Sequence, residues 1–146
     1  MSEQYYKAMI NIIVSGHWVT DQVSNRLKQK KSTEPQYNVL RILAGAKGKP
    51  MAVQDIGRRM VQRSSNVTRI IDKLVASGYV ERKECEQNRR KMDILITSSG
   101  KKYLKSLDVL VQDFHADFVK NLSEDEAEKL NRLINKLFNN EHIKNR

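Results

Sequence analysis

The segment SSNVTRIIDKLVASGYVERK, residues 64–83, limits the fold more than any other part of the chain. Its apolar residues recur at the i, i+3, i+4, i+7 and i+8 spacing of a helix with one buried face. Those residues are Val67, Ile70, Ile71, Leu74 and Val75. Gly78 stands where a helix commonly ends in a left-handed residue, and YVERKE after it is typical of a strand. The segment therefore predicts an amphipathic helix, capped by Ser64, that leads into a strand and keeps a polar face.

The flanking segments complete a regular order of elements. They predict a helix from Tyr5 to Lys30, a helix opened by a capping box of Thr33 and Gln36, and a short helix over VQDIGRRM. A second strand, KMDILIT, follows a polar hairpin tip, CEQNRR, and two helices close the chain, the last with a Ser123 and Glu126 capping box. The interpretation is a mainly α protein with a small β-hairpin (α+β).

This order is that of a winged helix-turn-helix. We place it at residues 34–100, flanked by helices at 1–33 and 101–146, within a single domain of 146 residues. In helix-turn-helix proteins that bind DNA, the second helix of the motif enters the major groove and presents polar side chains to base edges.

The positive charge of the chain is concentrated in the same region. Residues 58–102 contain twelve Lys or Arg and five Asp or Glu, so they carry most of the formal net charge of +10. Such a patch attracts polyanions because neutralised phosphates release condensed counterions. Charge alone leaves open the alternative of a solvated surface.

Several classes of function are not supported by the sequence. No apolar run approaches the roughly 20 residues that cross a bilayer, and the start MSEQYYKAMI lacks a secretion-signal pattern, so we expect a cytoplasmic protein without membrane contact. There is no glycine-rich phosphate loop and no nucleophile motif, so we expect no enzymatic activity and no cofactor. The three histidines are too scattered for a recognisable metal motif.

The segments SNVTRIIDKLVASGYVER and NRRKMDILITSSG resemble the MarR family of bacterial transcription regulators. The resemblance covers nearly the whole chain. It implies a homodimer of winged-helix lobes held together by the first and last helices. It also implies a DNA-binding regulator, usually a repressor, that binds a pseudo-palindromic operator and in many relatives is released by a small aromatic acid.

The resemblance assigns roles to individual residues of this chain. We call the second helix of the helix-turn-helix the reading helix. On it and just before it, the residues expected to contact bases or phosphates are Arg63, Ser64, Ser65, Asn66, Thr68, Arg69 and Lys73. In the wing they are Asn88, Arg89 and Arg90, and Arg90 is expected in the minor groove, where a narrow groove has enhanced negative potential. Asn88 replaces the aspartate that is usual at this tip, which predicts a looser wing. Arg69 and Lys73 taken alone would also fit a solvated helix face.

Three further interpretations stay open. His17, Trp18, Tyr37 and Arg41 could line a cleft for an aromatic ligand, although Trp18 and Tyr37 also fit plain core packing. Cys85 has basic neighbours that favour a reactive thiol and acidic ones that oppose it, so an oxidant-sensing regulator is an alternative. The other alternative is a winged-helix module that binds protein and has no specific DNA site.

Overall fold

The computed structural model describes residues 2–62 and 64–137. Six α-helices and one hairpin follow each other in the predicted order. The elements are α1 (Glu3–Leu27), α2 (Glu34–Gly45), α3 (Val53–Arg59), α4 (Val67–Ala76), β1 (Val80–Cys85), β2 (Asn88–Ile96), α5 (Ser98–Asn121) and α6 (Glu124–Leu137). A short 3-10 turn, Lys28–Lys30, joins α1 to α2. The prediction of a mainly helical protein with one small hairpin is confirmed.

The predicted capping boxes form where they were expected. Thr33 Oγ1 accepts a hydrogen bond from the backbone N–H of Gln36, whose side chain accepts one from the N–H of Thr33. Ser123 and Glu126 make the same reciprocal pair at the start of α6. Each pair satisfies donors that a helix leaves unpaired at its N-terminus, and this fixes where α2 and α6 begin.

The start of α4 is a correction to the sequence prediction. The helix begins at Val67, with Asn66 as its N-cap residue, so Ser64 and Ser65 lie in the preceding turn. The Ser64 hydroxyl accepts a hydrogen bond from the N–H of Asn66, 3.1 Å away. Serine side chains form such local turns in competition with helical hydrogen bonds, which explains why the helix does not extend back to Ser64.

The paired strands of the wing extend further than the sequence suggested. Its antiparallel strands pair from Val80 and Ile96 out to Cys85 and Asn88, with an irregularity between Glu84 and Cys85. Asn88, Arg89 and Arg90 therefore lie at the start of β2, and the predicted CEQNRR tip shrinks to residues 86 and 87. A single bridge between Met51 and Ile94 adds a third backbone segment at the base of the hairpin.

The hairpin, α4 and α5 meet at a tight junction. Gly78 ends α4 with φ of 77°, as predicted, and its carbonyl accepts a hydrogen bond from the Thr97 hydroxyl, 2.7 Å away. Thr97 also caps α5 by accepting from the N–H of Gly100 at 2.9 Å. A Cβ at Gly100 would lie 2.0 Å from the carbonyl oxygen of Tyr79, so only glycine fits this position.

One hydrophobic core fills the winged-helix lobe. The apolar face of α4 packs inward through Val67, Ile71 and Leu74, as the spacing predicted. The core also contains Leu27 from the end of α1 and Leu104, Leu107 and Val111 from the first half of α5. The two long helices are therefore part of the lobe at one end and leave it at the other.

The ends of the chain expose their apolar residues. Tyr5 and Tyr6 on α1 and Leu130, Leu133 and Leu137 on α6 are all exposed, and no residue of α6 is buried. Phe138, which the sequence places on the same stripe, lies outside the described residues. Among the described residues, none of the helices has the length and apolar content to span a membrane.

Candidate nucleic-acid interface

The polar face of α4 is exposed opposite its buried face. Thr68, Arg69 and Lys73 are exposed on the helix, and Ser65 and Asn66 are exposed in the turn before it. Ser64 is half-buried, and its hydroxyl accepts a hydrogen bond from the N–H of Asn66. Arg63 lies outside the described residues. The structure thus places a row of hydrogen-bond donors along the outer side of α4.

An ion pair joins this helix to the wing. Asp72 on α4 contacts the guanidinium of Arg82 on β1. The acid on the polar face thus has a basic residue of the wing as its partner. The pair neutralises the acid on the polar face and connects α4 directly to the first strand of the wing.

Arg89 and Arg90 lie next to the turn of the hairpin, at the end of the wing that is away from the core. Both arginines are exposed, and they lie in the part of β2 between Asn88 and Met92 where the strand pairing is irregular. The Asn88 side chain accepts a hydrogen bond from the N–H of Arg90 at 3.1 Å. Asn88 therefore holds the backbone at Arg90 through its amide oxygen. The expectation of a looser wing rested on the missing aspartate charge, and it stays a prediction.

The cations of this surface are not neutralised internally. Within residues 2–62 and 64–137, no ion pair involves Arg69, Lys73, Arg89 or Arg90, and all four are exposed. Asp72, the acid closest in sequence to Arg69 and Lys73, is already paired with Arg82. The arrangement leaves four guanidinium or ammonium groups available to an anionic partner.

Helix α2 supports the turn that precedes α4. The side-chain oxygen of Asn38 accepts a hydrogen bond from the backbone N–H of Val61 at 2.8 Å. A cavity of about 240 Å³ lies beside this contact, between the start of α2 and the turn. It is lined by Glu34, Pro35, Asn38, Met60, Gln62, Ser64 and Ser65. Partial burial raises the pKa of the Glu34 carboxyl because the charged form loses solvation.

Tyr37, one residue earlier on α2, makes a contact with α5. Its hydroxyl donates a hydrogen bond to Asp108 Oδ1 on α5 over 2.7 Å. Burial, together with this acceptor and its negative charge, raises the pKa of Tyr37 to about 12. The Arg41 guanidinium lies 5.7 Å from the centre of the Tyr37 ring. The phenol therefore stays protonated, and keeps its donor, throughout the neutral range.

The four residues proposed for an effector cleft fall into two groups. Tyr37 and Arg41 are in contact on α2, and Trp18 packs at α1 against Phe114, with ring centres 5.3 Å apart. His17 is exposed on α1. The cavity beside Asn38 is lined by none of these four residues. Tyr37 is buried in the core, which is the packing role that the sequence also allowed, whereas Trp18 is 47% exposed beside Phe114. The effector cleft stays a prediction.

In the described part of the chain, the cysteine and the histidines do not form a metal-binding cluster, and the oxidant-sensing role of Cys85 stays a prediction. Cys85 is a half-buried free thiol at the end of β1, opposite Asn88. Residues 2–62 and 64–137 contain no group of three or more His, Cys, Asp or Glu side chains arranged to hold a metal ion. His142 lies outside the described residues.

Sequence reasoning missed three side chains that form hydrogen bonds between distant elements of the lobe. Asn38, Asp108 and Tyr103 carry side-chain hydrogen bonds between elements, the last to the carbonyl of Lys30 at 2.9 Å. Each joins residues more than twenty positions apart. No periodicity or short motif marks such pairs, so the sequence held no signal for them.

Comparison with known proteins agrees with this geometry. A family model described as "MarR family" matches residues 32–91, the part of the chain from the start of α2 into the wing. The transcriptional regulator PapX of Escherichia coli is 29% identical over 101 residues, covering 69% of this chain and 62% of PapX. The chain thus spans less than two thirds of that relative, whose name describes a non-enzymatic class of protein.

Solved structures share the fold over nearly the whole chain. AbsC, a MarR family transcriptional regulator from Streptomyces coelicolor, has a TM-score of 0.85 at 19% identity, with 100% of this chain and 98% of AbsC covered. A MarR variant from E. coli in complex with operator DNA has a TM-score of 0.80 at 24% identity, covering 92% and 95%. At these identities the likeness concerns the fold.

Proposed function

The chain belongs to the MarR family of transcriptional regulators, and from this premise we propose that it binds double-stranded operator DNA as a homodimer. In each half-site α4 enters the major groove, and the β1–β2 wing reaches the adjacent minor groove. The structure of the E. coli MarR variant with operator DNA supports the assignment by analogy of fold. Two-fold symmetry of the dimer requires a pseudo-palindromic operator.

The observation that carries this proposal is the unneutralised charge of the reading surface. Arg69 and Lys73 on α4, and Arg89 and Arg90 on the wing, are exposed and have no ion pair within the described residues. The ion pair of Asp72 and Arg82 joins the two elements that carry them. A surface built this way fits a duplex, because grooves and flanking phosphates offer many acceptors at fixed spacing.

The exposed apolar residues at both ends of the chain support a homodimer. Tyr5 is 72% exposed and Leu137 is 64% exposed, and both belong to stripes that continue along their helices. Contiguous apolar patches of this kind mark interaction surfaces in water-soluble proteins. In a two-fold dimer, α1 and α6 of each protomer cover the stripes of the other.

The regulatory mode follows from the family. We place the protein in the cytoplasm as a repressor that blocks transcription while it occupies its operator. Release by a small aromatic ligand requires that the ligand bind one lobe spacing better than another. Tyr37 and Arg41, in contact on α2, and Trp18 with His17 on α1 are the residues proposed for that ligand.

The first test is fluorescence anisotropy with a duplex from upstream of the gene for this protein, beside a scrambled duplex, at two salt concentrations. We expect preference for the real duplex and a steep loss of affinity as salt rises, since log K falls by about 0.9 per neutralised phosphate for each tenfold increase in salt. Weak, equal binding to both duplexes would favour the protein-binding module. An operator located elsewhere is found by selecting duplexes from a random pool.

Arginine variants then separate the two elements of the surface. Arg90→Ala should weaken binding without unfolding the protein, and unchanged binding would remove the wing from the interface. Arg69→Ala should relax sequence preference if Arg69 contacts bases, and should weaken all duplexes equally if it contacts phosphates. Arg132→Ala is the matched control, because Arg132 is exposed on the side of α6 opposite its apolar stripe.

A further inference from the structure

Two consecutive side chains on α2 form hydrogen bonds with two different parts of the lobe. Tyr37 donates to Asp108 on α5 at 2.7 Å, and Asn38 accepts from the N–H of Val61 at 2.8 Å. Val61 lies in the turn between α3 and α4. From the geometry we infer that Tyr37 and Asn38 are positioning residues. They fix the turn between α3 and α4, here called the reading turn, relative to α5. This inference rests on the proposed binding of DNA.

The Tyr37 contact is built to persist. The ring is 6% exposed, and its hydroxyl meets a carboxylate 71 positions away in the sequence. Among the residues that the structure describes, this is the side-chain hydrogen bond that joins α2 to α5. A hydrogen bond to a charged acceptor is stronger than a neutral one, and a buried site lowers the competition from water.

The position of Asp108 on α5 relates this contact to the distance between the two reading helices of a dimer. Residues on either side of it, Leu107 and Val111, are buried in the lobe core, whereas Phe118 near the end of the same helix is partly exposed. Helix α5 therefore runs from the lobe toward the proposed dimer contact. Any tilt of α2 against α5 changes the distance between the two reading helices of a dimer.

The Asn38 contact joins α2 to the protein surface that is proposed to bind DNA. The turn it holds leads directly to Ser64 and Ser65, and Ser64 in turn bonds Asn66 at the start of α4. Helix α4 also packs on α2 through Ile71 and Leu74 in the shared core. With Asp108, Tyr37, Asn38 and Val61 engaged, α5, α2 and the reading turn move as one body.

The inference predicts a specific effect of removing one hydroxyl. In Tyr37→Phe the lobe samples more orientations, so fewer dimers match the half-site spacing. If the matching fraction falls to about one tenth, the apparent Kd rises about tenfold. Binding to a duplex with one extra base pair between half-sites, which turns them by about 34–36° relative to each other, should fall less.

The experiment uses duplexes that the wild-type protein selects from a random pool, each made with the selected spacing and with one base pair inserted. The quantity measured is the affinity for the selected spacing divided by the affinity for the duplex with the inserted base pair. We expect this ratio to fall in Tyr37→Phe, Asn38→Ala and Asp108→Ala, and to be retained in Asp108→Asn, whose amide oxygen still accepts. Tyr103→Phe is the matched control, because it removes a hydroxyl that bonds the Lys30 carbonyl and no element of the reading turn.

A second measurement needs no DNA. Hydrogen exchange at the Val61 amide should speed up in Tyr37→Phe and stay at the wild-type rate in Tyr103→Phe. A wild-type spacing ratio in Tyr37→Phe, or an unchanged Val61 exchange rate, would overturn the inference while leaving DNA binding intact. Failure of the wild-type protein to bind any selected duplex would instead overturn the proposed function.

Discussion

The winged-helix lobe and the terminal helices use the same kinds of apolar residue in opposite ways. In the lobe, Leu40 and Ile71 are fully buried within one chain. On α6, Leu130 and Leu133 occur at the same helical spacing and remain exposed. The lobe thus covers its apolar residues within one chain. In the proposed homodimer, the second chain covers those of the terminal helices.

The difference shows that helical periodicity reports which face must be covered and is silent about what covers it. The stripe of α4 is covered by α2 and the hairpin, and the stripe of α6 is left for a partner. A dimer built this way keeps two firm lobes at the ends of an interface that is formed separately. Lobe stability and dimer stability should therefore respond to different substitutions.

The largest expected effect is the loss of a core side chain in the lobe. Ile71→Ala should lower the free energy of unfolding by about 2–5 kcal/mol, since it leaves a cavity among fully buried neighbours. Denaturant unfolding followed by circular dichroism measures the change. A loss below about 1 kcal/mol, within the range of surface substitutions, would contradict the assignment of Ile71 to a close-packed core.

The matched substitution on α6 should act on the dimer instead. Leu133→Ala changes two copies of the residue in a two-fold interface, and roughly 1 kcal/mol for each gives about a thirtyfold rise in the dimer dissociation constant. Sedimentation across a range of protein concentrations measures it. Equal dissociation constants for the variant and the wild type would show that α6 lies outside the interface.

Much of this comparison could be predicted from the sequence because the signals are local. The faces of α4, the caps at Thr33 and Ser123, and the left-handed Gly78 each depend on residues within a few positions of one another. The polar residues of the reading surface followed from the same pattern together with the family resemblance. Except for Ser64, which is half-buried, those among the described residues are exposed, and their contacts with DNA remain a prediction.

The rest depended on tertiary geometry that short-range patterns do not encode. The hydrogen bond of Tyr37 and Asp108 spans 71 positions, and that of Asn38 and Val61 spans 23. The start of α4 shifted because Ser64 satisfied Asn66 locally before the helix began. The strands extended because pairing continued to Cys85 and Asn88, beyond the apolar residues that marked them.

A smaller effect tests the lobe through pH. The pKa of Tyr37 is about 12 in the folded protein, above its ordinary value of 10.0. Between these values the folded protein keeps a proton that the unfolded chain loses, so stability should fall as pH rises through this window. The contribution lost by pH 11 is about 1.4 kcal/mol, the equivalent of one pKa unit.

Unfolding of the wild type and Tyr37→Phe at pH 9 and pH 11 isolates this contribution. Both proteins share every other titrating group, so the difference between their stabilities should shrink at the higher pH. A difference that stays constant from pH 9 to pH 11 would show that Tyr37 titrates alike in the folded and unfolded chains. The same result would weaken the case for a buried contact with Asp108.

The smallest expected effect concerns the ion pair of Asp72 and Arg82, which joins α4 to the wing. Asp72→Asn keeps the shape of the side chain and removes its charge, and partly exposed pairs of this kind contribute about 0.2–1 kcal/mol. The variant frees Arg82 to join the phosphate contacts, so the slope of log K against log salt should steepen by up to about 0.9. Stability and DNA binding should thus move in opposite directions. Combining Asp72→Asn with Arg82→Gln measures the coupling directly, and additive effects of the two changes on stability would show that the pair does not connect reading helix and wing.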